Sequence, residues 1–389
     1  MGNYAEKISL CAMSKIFGFE PKIGLAMIAR TGSAAEIFRL STKDIDGMLG
    51  PHSRYRGAIC SKALDDAGAI LESLSKSGAR FTGWTENGYP QLLKECPDAP
   101  IGLYAKSCTQ DRELWSGRMP VAVVGTRDIS PYGREWCERI VHALARTSPK
   151  PLIISGLAIG TDICAHKAAL EAGLPTIAVM ATGTDTIYPY RHRQIAEKMS
   201  GTQGCALVTD YPLGTAPLPV NFLRRNRIIA GLSHATILVE SKIKGGGMMT
   251  CRLAFSYDRD VYALPGRADD LRSQGCNHLI RARMAEPLTS EEDIIDSLGL
   301  LTTGRKSPPS DMELLFEEYG GKETDETICR MAEILSAIRG SRGITVEELG
   351  RTIGLPYGRA AHLAGLLETD GFIYCDLLRR CSLVSARFR

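Results

Sequence analysis

The chain has 389 residues, is 44% hydrophobic and 23% charged, and carries a net charge of +3. Two or three domains with a sizeable core fit that length, and the balance reads as soluble and globular. No apolar run reaches 18 residues, so no membrane helix is expected, and a start that includes Glu6 and Lys7 lacks the apolar core of a signal peptide, which points to the cytoplasm.

The twelve cysteines form no CxxC pair and no Cys/His cluster at zinc spacing, which argues for reduced thiols and no metal. The small net charge hides an uneven distribution. Between Pro219 and Arg283 there are eleven Lys/Arg against five Asp/Glu, a local balance of +6. Basic charge focused on one segment suits a polyanion-facing surface.

Residues 1–80 read as helical, from apolar positions such as Ile8, Ile16, Ile23, Ile28 and Ile37, broken by Gly18, Pro21 and Gly32. The stretch from Phe17 to Phe38 has the outline of a degenerate helix-hairpin-helix. Glu20 occupies its turn and basic residues are sparse, which favours a structural or partner-binding role. Gly83 to Tyr104 reads as a connector.

Strands and helices then alternate over residues 81–300. Strands are expected at Val121–Val124, Leu152–Ile154, Thr176–Met180, Ala206–Thr209, Thr236–Val239 and Asp260–Leu264. Helices are expected at Pro131–Leu144 and Asp162–Ala172. This alternation predicts a parallel sheet with helices on both faces, and glycines after the strands put the ligand site at its carboxyl edge. Residues 301–324 read as a linker. Residues 325–389 read as a winged helix, with Thr345 as an N-cap answered by Glu348.

The densest chemistry lies between Pro219 and Thr250, where Arg224, Arg225 and Arg227 precede a strand and the triple glycine Gly245, Gly246 and Gly247. Arginines and free loop amides are both phosphate ligands. Arg127 follows the first core strand. Phe222 is a candidate for stacking on a base or for core packing. Asn226 is open between ligand contact and a helix-start cap, and Arg227 between ligand contact and holding the fold. Asp162, His166 and Lys167 are readable as catalytic groups, with Asp162 as a cap and His166 as a packed side chain the alternative.

Seven motifs occur in order: VVGTR (123–127), SGLAIGTDICAH (155–166), ATGTDTIYP (181–189), NFLRRNRIIAGLS (221–233), GGGMMTCRLA (245–254), RDVYALPG (259–266) and GCNHLI (275–280). Together they resemble the DNA-processing protein A family (DprA, also called Smf) over residues 80 to 285. Thr161, Gly246 and Met248-Met249 depart from its usual pattern. The resemblance implies an extended Rossmann-like, doubly wound, mostly parallel α/β sheet. A helical N-terminal domain (helix-hairpin-helix or SAM-like) and a C-terminal winged-helix domain would flank it. It also implies a homodimer without cofactor or catalytic turnover that binds single-stranded DNA and loads the recombinase RecA during natural transformation. The implied DNA contacts are Arg127, Ser155, Gly156, Phe222, Arg224, Arg225, Asn226, Arg227, Gly245, Gly246, Gly247 and Thr250. Two other readings remain open at this stage: a nucleotide-cleaving enzyme on a related fold, and a winged-helix regulator that senses a nucleotide. The first is disfavoured because no acid follows the triple glycine until Asp258.

Overall fold

In the computed structural model, residues 2–302, 310–341, 343–376 and 379–384 are described. The chain divides into two compact units, Met1–Thr303 and Gly304–Arg389.

The first unit is built on a nine-stranded sheet. In spatial order its strands are Ala79–Gly83, Gly102–Lys106, Ala206–Thr209, Thr176–Val179, Leu152–Ser155, Pro120–Val124, Ala235–Leu238, Asp260–Ala263 and Glu286–Pro287. The first two strands run antiparallel to each other, and Gly102–Lys106 runs antiparallel to Ala206–Thr209. All other pairings are parallel. The sheet is therefore mostly parallel, doubly wound and Rossmann-like. The six strands expected from sequence are present to within a residue or two.

The two antiparallel strands at one edge are a correction to the sequence reading. Ala79–Gly83 straddles the expected boundary at residue 80, and Gly102–Lys106 closes the stretch read as a connector. Their partners decide their state. Phe81, Ile101 and Tyr104 share one buried cluster with Leu10, Phe17, Ile37 and Leu74 of the N-terminal helices. The helices over residues 2–76 thus pack on this edge of the sheet and share its core. Burying a large apolar side chain contributes about 1.5–3 kcal/mol, so this shared layer is a substantial anchor.

Along Pro120–Val124, side chains alternate between two cores. Val121 and Val123 join the helices Pro131–Ala145 and Thr161–Glu171 on one face. Ala122 and Val124 join Pro219–Gly231 and Gly246–Ser256 on the other. A parallel strand covered on both faces must be apolar throughout, as this one is. From it the chain winds outward through Leu152–Ser155, Thr176–Val179 and Ala206–Thr209. It then returns to the opposite side with Ala235–Leu238. The reversal leaves a crevice between the carboxyl ends of Pro120–Val124 and Ala235–Leu238, where open α/β sheets bind their ligands.

The second unit contains helices Asp311–Tyr319, Asp325–Gly340, Val346–Thr352 and Tyr357–Thr369, with a hairpin of Ile373–Cys375 and Cys381–Leu383. Thr345 and Glu348 form the expected reciprocal capping box. The stretch read as a linker is in part structured. Leu301–Thr302 pairs with Thr147–Ser148, and Asp311–Tyr319 is a helix whose Leu315 and Tyr319 enter the second unit's core. Only 303–309 of that stretch lies outside the described residues.

His166, one of the three groups readable as catalytic, is a core residue. It is fully buried, and its Nδ1 lies 2.8 Å from the Thr176 hydroxyl. That hydroxyl donates to the Ile153 carbonyl at 3.0 Å, so it accepts from His166, which fixes the proton on Nδ1. Among the described residues the buried Nε2 has no hydrogen-bond partner. Burial pushes the imidazole pKa down to about 3 from an ordinary value of 6.5. Between these two pH values the unfolded chain holds a proton that the folded chain refuses. This stabilisation is complete above pH 6.5 and declines as pH falls toward 3, by up to about 1.4 kcal/mol per pH unit. His166→Asn keeps a donor for Thr176 and does not titrate. Urea unfolding across that window is expected to show a shallower acid dependence for the variant than for the wild type.

Candidate nucleic-acid interface

The crevice at the reversal is a cavity of about 490 Å³. Its walls are the turn after Pro120–Val124 (Gly125, Thr126, Arg127, Asp128), the loop after Ala235–Leu238 (Ser241, Lys242, Lys244, Gly245, Gly246, Gly247), and Phe222, Leu223, Arg225 and Asn226 of the Pro219–Gly231 helix. Val124, Ala158, Asp162, Ile229 and Thr250 complete it.

Glycines bring these walls together. A Cβ on Gly247 would stand 2.7 Å from Leu238 Cδ1 and 3.2 Å from Gly125 Cα, and one on Gly125 would stand 2.4 Å from Thr161 Oγ1. Gly160 has φ +85°, and a Cβ there would stand 2.2 Å from the Thr126 carbonyl. Only glycine allows both that conformation and that approach. Gly246 differs, with open space where a Cβ would point. The family departure at this position is therefore sterically free. Helix Gly246–Ser256 starts at this wall with no side chain capping its first amides. Its N-terminus offers free N–H groups and a partial positive charge to an anion.

The turn carrying Arg127 is tied down from below. Glu240, 1% exposed, accepts from the Ser130 amide at 2.9 Å and the Ser130 hydroxyl at 2.5 Å. Asp128 is engaged by Arg272 at 2.7 Å. Arg127 itself is exposed, and its guanidinium carbon stands 5.6 Å from the centre of the Phe222 ring. Lys242 and Lys244 are also exposed. Among the described residues, none of these three cations has an ion-pair partner. The two lysines were missed from sequence as individual site residues. Their signal was there, in the excess of basic charge over Pro219 to Arg283.

The structure brings together Arg127, Phe222, Arg225, Asn226, Gly245, Gly246, Gly247 and Thr250 of the expected set, and sends four others elsewhere. Ser155 is fully buried beneath the site, where its hydroxyl donates to the Val123 carbonyl at 2.6 Å. Gly156 is buried against Arg225, and a Cβ there would stand 1.8 Å from Nη1. Arg224 points away from its neighbour, because consecutive helical residues face directions about 100° apart. It donates to the Gly18 carbonyl and lies 4.0 Å from the centre of the Phe19 ring. Arg227 is a structural tie. It pairs with Asp210 at 2.5 Å and donates to the Asp98 carbonyl, with both charged side chains less than a tenth exposed.

Arg225 forms the floor. It is 4% exposed and donates to the Val179 carbonyl at 2.7 Å, while its Nε has no partner among the described residues. Burial lowers its pKa, and the neighbouring Asp162 carboxylate opposes that shift. Asp162 responds in kind, raised by burial and lowered by Arg225, and it accepts from the Ala158 amide at 3.2 Å. The Asp162 carboxylate is thus set against a buried cation and a backbone donor.

A larger cleft of about 620 Å³ runs past Lys7, Arg80, Glu86 and Asp111. These four charges are already paired as Lys7–Glu86 at 3.2 Å and Arg80–Asp111 at 2.7 Å. The smaller crevice is the better anion site because its outer cations are unpaired.

A doubly wound sheet with a cationic switch-point crevice lined by helix-end amides defines a Rossmann-like fold whose crevice is chemically suited to an anion. Comparison with known proteins narrows the class. The family model for DNA recombination-mediator protein A matches residues 80–299, and the chain belongs to that family. Protein Smf of Synechocystis sp. is 38% identical over 60% of this chain and 57% of its own. DNA processing protein DprA of Streptococcus pneumoniae is 37% identical over 60% of this chain and 78% of its own. Protein Smf of Escherichia coli is 40% identical over 54% of each. The chain thus spans little more than half the length of the Synechocystis and E. coli relatives it matches. The solved structure of S. pneumoniae DprA superposes with a TM-score of 0.62 and 31% identity, over 73% of this chain and 95% of its own. That of Helicobacter pylori DprA, described for its single-stranded DNA binding mode, superposes with a TM-score of 0.50 and 28% identity, over 56% and 95%.

The Arg227–Asp210 pair generates a test of its structural role. Removing one partner leaves the other charge buried and uncompensated, which typically costs about 3–5 kcal/mol. Arg227→Ala is expected to lower the urea midpoint by a corresponding amount, measured by circular dichroism.

Proposed function

We propose that this protein binds single-stranded DNA in the switch-point crevice and acts as a recombination mediator. In this reading it protects incoming strands and passes them to the recombinase RecA during natural transformation, working as a cytoplasmic homodimer. The observation that carries the reading is the set of three exposed, unpaired cations (Arg127, Lys242 and Lys244) around a helix N-terminus, with Phe222 at their side. Three separated cations fit a chain of phosphates better than one phosphate. Backbone amides and a stacking ring bind without reading sequence. The solved structure of the H. pylori relative, described for its single-stranded DNA binding mode, supports the same polymer.

This is a binding role, not an enzymatic one. Asp162, which lines the crevice, lies in the field of the buried Arg225 and accepts from the Ala158 amide, a structural engagement that needs no catalytic role. The second unit carries a winged-helix-like set of elements. Its Tyr357–Thr369 helix bears Arg359 and His362 against Glu368, a poor charge for a DNA groove, and we assign it a protein partner.

Two measurements test the proposal. Arg127→Ala, Lys242→Ala and Lys244→Ala, made singly and together, should weaken binding to an oligothymidylate. Each should reduce the slope of log affinity against log salt by roughly 0.7. Wild-type affinity and slope in the triple variant would reject the crevice as the DNA site. A chain ending at residue 303 should keep the single-strand affinity of the full chain in a gel shift, because the crevice lies wholly in the first unit.

A further inference from the structure

The loop Ala181–Pro189 follows the Thr176–Val179 strand and is held unusually firmly. Thr182 donates to the Thr186 carbonyl at 2.6 Å. The Asp185 carboxylate accepts from the Gly214 amide at 3.1 and 3.0 Å. A Cβ on Gly183 would stand 2.6 Å from the Pro212 carbonyl, so two backbones meet there without a side chain between them. Ile187 packs against the cluster of Leu157, Met180 and Ala196, and His192, just beyond the loop, lies 2.8 Å from the Leu157 carbonyl through Nδ1.

This rigid loop carries an aromatic ring that the fold does not bury. Tyr188 is 47% exposed, although its neighbour Ile187 is packed inward. Its ring centre stands 5.4 Å from that of Phe222, edge to face at 62°. Phe222 in turn lines the crevice and is approached by Arg127. The three side chains form a continuous step from the phosphate-binding turn to an open aromatic face. Among the described residues the Tyr188 hydroxyl has no hydrogen-bond partner, so nothing polar in the fold accounts for its position.

We propose that Tyr188 is a base-stacking residue that carries single-stranded DNA out of the crevice past Phe222. The inference rests on the proposed DNA-binding reading and extends it to a residue outside the crevice. Its chemistry is that of an exposed π face beside an arginine-bearing turn: unpaired bases stack on the ring while Arg127 holds a phosphate. Because the loop is preorganised, little ordering cost accompanies the contact.

The test compares two ligands of equal length and charge, an oligothymidylate and the corresponding abasic strand. Full-length wild type, Tyr188→Ala and Tyr188→Phe are titrated with each by fluorescence anisotropy. Stacking predicts that Tyr188→Ala loses about fivefold or more in affinity for the thymidine strand and is unchanged on the abasic strand. Tyr188→Phe, which keeps the ring, should match wild type. A Tyr188→Trp variant supplies an independent readout. Its added emission should be quenched by the thymidine strand and not by the abasic strand.

Equal loss on both strands, no loss on either, or an unquenched tryptophan would each overturn the proposal. So would a change in sedimentation of Tyr188→Ala without a change in DNA affinity, since that would make the ring a contact between copies of this chain. Failure of the wild type to bind either strand is a distinct outcome. It would remove the DNA-binding reading, and this inference with it.

Discussion

The site depends on the close meeting of three backbone turns. Gly125, Gly160 and Gly247 stand where side chains would collide with neighbouring backbone or core. Their approach brings the end of Pro120–Val124, the start of helix Thr161–Glu171 and the start of helix Gly246–Ser256 around one crevice. Free amides, Arg127 and the two lysines become neighbours only because no Cβ separates these turns. The arrangement follows from the sheet topology, which reverses between Pro120–Val124 and Ala235–Leu238.

Charge is divided between structure and site according to burial. Arg227 and Arg225 come from the same short run, yet both are withdrawn from solvent, Arg227 paired with Asp210 and Arg225 bonded to the Val179 carbonyl in the field of Asp162. Glu240 is buried beneath Ser130 and steadies the turn that exposes Arg127. The exposed cations then keep their full attraction for a polyanion. A buried arginine beneath an anion-suited crevice still contributes field, but desolvation limits what it could contribute by direct contact.

Much of the architecture was legible in sequence because its signals are local. Apolar runs, several of them followed by glycine, marked the parallel strands, and Thr345 with Glu348 marked a capped helix. Other features were not legible for identifiable reasons. Ala79–Gly83 and Gly102–Lys106 are antiparallel edge strands set by a shared core with distant helices, and their own periodicity is weak. Asp311–Tyr319 sits beside a Pro- and Ser-rich stretch that drew the reading toward a linker. Ser155, Gly156, Arg224 and Arg227 belong to the family motifs, but a motif records only neighbourhood along the chain.

The sequence by itself determined the alternating α/β pattern, the glycine-marked carboxyl edge, the concentration of basic charge and membership of a motif-defined family. Each of these depends on residue type and short-range spacing. Only the tertiary structure decided which cations face the crevice. Adjacent residues on a helix point in different directions, and their partners (Gly18 for Arg224, Val179 for Arg225, Asp210 for Arg227) come from distant parts of the chain. The same holds for the step from Arg127 through Phe222 to Tyr188, three residues from three separate segments that meet only when the sheet is wound.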